Sequence, residues 1–180
     1  MKRYILLTLM TLVFHTGTGA LFAQSAQPRE KSEVEIYMQQ MAKELRSNEI
    51  DYAYISTSMF RQMLSQALSI VDEDIKEALG VDNILGSVMY MRRFMSTDRE
   101  SYKALRTAMQ SFLEEEEEWM GMQLSSFNRA DGELSIVYSD PKNVLVINEK
   151  EDADYIIVIF VSGISYENFM KVTANGGIIF

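Results

Sequence analysis

Among its 180 residues the chain has no cysteine, one histidine, two prolines and one tryptophan. Without cysteine it has no disulfide, no thiolate nucleophile, no Fe–S cluster and no cysteine zinc site. The lone His15 falls in a segment that the pattern below marks for removal, which would leave no imidazole at all. Ser-His-Asp and Cys-His triads are then excluded, as are the usual zinc and haem ligand sets. Positive charge is also scarce: 17 basic residues face 26 acidic ones, a net charge of −9. Such a chain is repelled by phosphate backbones. Its one basic cluster, Arg92-Arg93 with Arg99, is too small to track a nucleic-acid groove. No glycine-rich phosphate loop is present, and Asn175-Gly176-Gly177 has no helix after it.

The residues that are present suit a single globular domain, with 47% hydrophobic and 24% charged side chains. Lys2 and Arg3, the apolar run from Tyr4 to Phe14 and the small residues that follow have the layout of a secretory signal peptide. The run is about half of the ~20 residues that span a bilayer, so no stable membrane insertion is expected. Cleavage is expected after Ala23, with Ala20 the alternative. With no cysteine at the new N-terminus the product is not a lipoprotein, and it is expected in the periplasm or cell envelope. Losing Lys2 and Arg3 takes the net charge to −11.

Residues 24–32 read as a flexible leader, 33–172 as one α+β domain and 173–180 as a C-terminal tail. Val34, Tyr37, Met38, Met41 and Leu45 share one helical stripe, which predicts a helix over 33–46. Tyr52 to Ile55 reads as a strand, and Ser56-Thr57-Ser58 offers caps for one or two helices over 57–79. Ser87 to Met91 reads as a second strand. Thr97 and Glu100 have capping-box spacing ahead of the stripe Tyr102, Leu105, Met109, Phe112, Leu113. After Glu118 the period drops to two, giving four strands joined by turns at Asp131-Gly132 and 139–143, with Tyr155 to Val161 apolar on both faces. Tyr166 to Val172 closes the chain as a short helix. The order α-βαβαββββ-α predicts a two-layer sandwich, a mainly antiparallel sheet with helices packed on one face.

Tyr54-Ile55-Ser56-Thr57-Ser58-Met59-Phe60, the strand before Ser96-Thr97-Asp98, and the late segments 143–147 and 155–163 resemble a family of small exported Bacteroidetes proteins grouped as a domain of unknown function. The likeness covers roughly Ile50 to Val172. It implies a single exported domain and carries over no catalytic residue.

Two further chemistries are weighed. Met89-x-Met91 and Met120-x-Met122 could offer thioethers to Cu(I), although methionine also serves as ordinary core filler. The acidic groups 72–74, 114–118 and Glu149, Glu151, Asp152, Asp154 could hold Ca²⁺. They lack the spacing of an EF-hand loop and read better as solvated surface. Helix fraying near Glu116 is expected to relieve the glutamate run at its helix C-terminus. The reading is therefore a non-enzymatic exported protein that needs no cofactor and binds a protein or peptide partner. The alternatives are a metal-binding protein and a carboxylate-based hydrolase. Tyr37 and Met41 on the first helix and Trp119 after the acidic run are the candidate partner contacts, and a homodimer is possible.

Overall fold

Two of the helices start where a side chain closes the first turn. The computed structural model describes residues 30–60, 62, 80, 87–114 and 116–176. The expected signal peptide, most of the leader, and the one-or-two-helix question over 57–79 lie outside these residues, apart from helical residues 57–60 and 62. Helix α1 (Glu33–Glu44) is capped by Ser32. The Ser32 side chain accepts from the Glu35 N–H, and the Glu35 carboxylate accepts from the Ser32 N–H at 2.9 Å. This Ser-x-x-Glu box was legible in the sequence and went unread. The helix ends two residues before the expected 46 in a 3-10 turn, Leu45–Ser47.

Strands β1 (Asp51–Ser56) and β2 (Tyr90–Met95) pair antiparallel. β2 begins three residues later than expected and takes in both Arg92 and Arg93. Arg93 is accommodated by Asp51 at 2.6 Å, and Arg92 by the Tyr54 and Tyr90 rings. Helix α2 (Arg99–Ala108) is capped by Asp98, whose Oδ1 accepts from the Ser101 N–H at 2.7 Å. The capping box is thus shifted by one residue from Thr97 and Glu100, because the Thr97 hydroxyl donates to the Glu49 carbonyl instead. Asp98→Ala should lower the urea midpoint clearly, and Glu100→Ala should lower it far less.

The expected stripe is divided at Met109 into α2 and α3 (Gln110–Leu113). The chain leaves the helix at Leu113, ahead of the glutamates from 116 onward. The Tyr138 hydroxyl donates to the Phe112 and Glu116 carbonyls at 3.2 and 3.0 Å, so the helix end is satisfied from the sheet.

From there the chain forms a meander: β3 (Glu118–Trp119), β4 (Met122–Ala130), β5 (Glu133–Ser139), β6 (Asn143–Lys150) and β7 (Tyr155–Ser162). Met120-Gly121 and Asp131-Gly132 have positive φ at both central residues, the two-residue hairpin geometry that matches strand twist. The last helix, α4 (Tyr166–Gly176), runs four residues beyond the expected end at Val172 and takes in the first part of the expected tail.

Among the described residues seven strands form one sheet in the order β1-β2-β7-β6-β5-β4-β3, every neighbouring pair antiparallel. The fold is α+β, but the expectation of helices on one face is corrected, because both faces carry buried apolar clusters. On the first face Ile156, Val158 and Phe160 meet Val34, Met38 and Met41 of α1 and Leu105, Met109 and Phe112 of the α2–α3 segment. On the second face Ile157, Ile159 and Val161 lie with Ile164 and Phe169, and Phe60 and Tyr166 pack against them. A strand apolar on both sides needs cover on both sides, and β7 lies between β2 and β6 where it receives it. Among the described residues no helix is long and apolar enough to cross a membrane.

Candidate functional site

On the second face the strand registers line up polar side chains in rungs. Asn128 stands opposite Ser135, which stands opposite Asn148. The next rung toward the sheet interior is Ser126, Val137 and Val146, and the outer rung is Ala130, Glu133, Lys150 and Tyr155. Residues two apart on a strand share a face, so these rungs build one surface. Helix α4 stands beside it with Tyr166, Phe169, Met170 and Thr173, and the space between is a groove of about 670 Å³. Val137, Val146 and Phe169 give it an apolar floor and Asn128, Ser135 and Asn148 a row of amides and hydroxyls. Its outer end is the Asp131-Gly132 turn and the Glu133–Lys150 ion pair at 2.9 Å. The bulge between Leu124 and Ser126 turns β4 along its side. A lining of hydroxyls, amides and phenols around an apolar floor can orient and hold a ligand.

Two carboxylates are buried on the opposite face. Glu35 accepts from the Tyr90 hydroxyl at 2.8 Å and the Ser162 hydroxyl at 3.1 Å, and it is 3% exposed. Glu149, 6% exposed, accepts from the Tyr102 hydroxyl and from Arg106 Nε, each at 2.7 Å. Glu149 therefore does not belong to the solvated acidic surface expected of it. Charge-assisted bonds to α2 make it a buried tie between helix and sheet. Ser162 and Ile156, the β7 neighbours of the two carboxylates, are about 20 Å apart along the strand, so the pair does not flank a common reaction site.

These ties govern the alkaline behaviour of the fold. Burial, then the bond to Glu35, raises the Tyr90 phenol well above its ordinary range, and burial with the bond to Glu149 does the same for Tyr102. Burial also raises Tyr37, Tyr52 and Tyr155. A phenol harder to ionise in the folded than in the unfolded chain stabilises fully below pH ~10, and that stabilisation fades as pH rises through the folded-state value. Urea midpoints should accordingly fall above pH ~10. Tyr90→Phe and Tyr102→Phe should each lose about 1 kcal/mol at neutral pH yet show a shallower alkaline decline.

The expected contact residues sit elsewhere. Met41 is 3% exposed and lies in the first-face core, so the folded chain does not offer it as a contact. Tyr37 packs partly against the same core, and its hydroxyl donates to the Ala108 carbonyl, tying α1 to α2. Trp119 packs edge-on to Phe112 at 5.9 Å and anchors the corner between α3 and the sheet. Helix α1 is thus part of the first-face core.

The methionine pairs are divided in the same way. Met91 is buried in the second-face cluster while Met89 is 40% exposed. Met122 is fully buried in the first-face cluster, with Met120 on the turn beside it. Among the described residues no three His, Cys, Asp or Glu side chains converge as a metal site. The groove residues were missed because β4, β5, β6 and α4 each contribute only a few of them. The alternating polar positions Ser126 and Asn128 were the available clue.

No family model, no curated protein and no solved structure matches the chain.

Proposed function

We propose that the protein is a non-catalytic binding module of the cell envelope that holds an extended segment of a partner polypeptide in the groove between α4 and β4–β6. The observation that carries this reading is the groove itself, in which an apolar floor lies beside a row of amide and hydroxyl side chains. Such side chains can serve the main-chain N–H and C=O groups of an extended peptide, which need partners whatever the sequence. Export is supported by the basic, apolar and small-residue regions of residues 1–23.

An array of short extended peptides probed with the purified protein and with Ser135→Trp tests the reading. An indole at position 135 fills the centre of the groove, and the exposed rim lets the sheet keep its pairing. Binding by the parent and at least about tenfold weaker binding by the variant, at matching far-UV circular dichroism, support the groove. Equal binding by the two, or none by the parent, overturns it.

A further inference from the structure

The outer end of the groove differs from its floor in charge. Asp131 and Glu133 line it, and Lys150 is the cation beside them. Lys150 pairs with Glu133 at 2.9 Å, and its ammonium is held above its ordinary range first by Glu133 and then by Asp152 in the following turn. Asp131, Glu133 and Asp152 are all exposed. At this mouth two lining carboxylates, with Asp152 acting on Lys150 from the following turn, face the single ammonium of the described lining, and a whole-chain charge of −9 adds to the same field. Two phenols stand near: Tyr155 is the β7 neighbour of Lys150, and Tyr166 starts the α4 wall.

We infer that the segment held in the groove carries a lysine or arginine, its main chain lying along Asn128, Ser135 and Asn148 and its cation reaching the mouth between Asp131 and Asp152. The inference rests on the peptide reading above and adds the partner's charge to it. The unbalanced carboxylates attract a cation, and the tyrosine faces can hold a guanidinium or ammonium. An acidic segment, or a second copy of this chain, brings more negative charge to a mouth already in surplus.

The test uses the purified full chain and three short labelled peptides alike except for a central Lys, Ala or Glu. The variant is Asp131→Asn with Asp152→Asn. Asparagine tolerates the positive φ of position 131, so the hairpin turn is kept. Fluorescence anisotropy should show the Lys peptide binding about tenfold tighter than the Glu peptide, and the double variant should lose most of that preference. The preference should also shrink as salt is raised from about 50 to about 500 mM, and amide shifts should concentrate at Asn128, Ser135 and Thr173. Groove shifts with equal affinity for all three peptides, or a preference that the double variant leaves untouched, overturn the cation while leaving the peptide groove standing. Groove shifts from none of the three at about 1 mM overturn both.

Discussion

Gly163→Ala should be the most damaging added methyl among the described glycines, lowering stability by about 4 kcal/mol or more. Two independent effects act at this position. Its φ of +89° lies where a residue with a Cβ is strained, at roughly 1–2 kcal/mol. A Cβ built there would lie 2.1 Å from the Ser87 carbonyl oxygen and 2.7 Å from the Met89 nitrogen, both backbone atoms that no rotamer can move aside. The contact is close because the approach to β2 crosses the end of β7 at this point: the Met89 N–H donates to the Ser162 carbonyl at 2.8 Å, and the Gly163 N–H donates to Lys142. Since domains are stable by only about 5–15 kcal/mol, the variant should melt on the order of 10 °C lower by calorimetry. A Gly132→Ala control, with a positive φ but open space around the added methyl, should lose only the strain. Equal losses at the two glycines would refute the steric account.

Glu35→Ala is expected to cost about 3 kcal/mol in chemical denaturation. The carboxylate does three jobs from one position. It closes the α1 capping box, and it receives the hydroxyls of Tyr90 on β2 and Ser162 on β7. Removing it strands two hydroxyls under α1 and frees the cap at once. Glu35→Gln, which keeps an acceptor oxygen, should recover part of the loss. Glu149→Ala should be milder, at about 2 kcal/mol, because Arg106 is 46% exposed and regains water when its partner goes. A ranking with Glu149 above Glu35 would contradict this account of burial.

Much of the architecture was written in local periodicity. The change from a period of 3.6 to 2 after Glu118 marked the meander, and the Asp131-Gly132 dipeptide gave its hairpin. The doubly apolar run of β7 correctly indicated an interior strand. What it also required, cover on both faces, was not carried through to the layers. The features that were missed depend on residues distant in sequence. Glu35 looks like one more helix-surface acid until Tyr90 and Ser162, 55 and 127 residues away, are brought over it. Glu149 was grouped with its acidic neighbours because nothing in 149–154 foretells Tyr102 and Arg106. The shift of the α2 cap by one residue turned on Glu49, whose carbonyl takes the Thr97 hydroxyl. The groove was the least legible part, since its floor comes from β5, β6 and α4 and its polar row from three strands.

The β2–β7 pairing imposes an order on folding. β2 finds its interior neighbour only after the meander has been laid down, and Tyr90 pairs with Ser162, 72 positions further along the chain. Contacts that span so much chain form slowly, because loop closure must be met before they repay it. Until β7 is synthesised, β1 and β2 are a two-strand pair with no interior neighbour, too small a sheet to hold together in water. The nascent polypeptide therefore has no complete sheet to lock into before its last strand emerges.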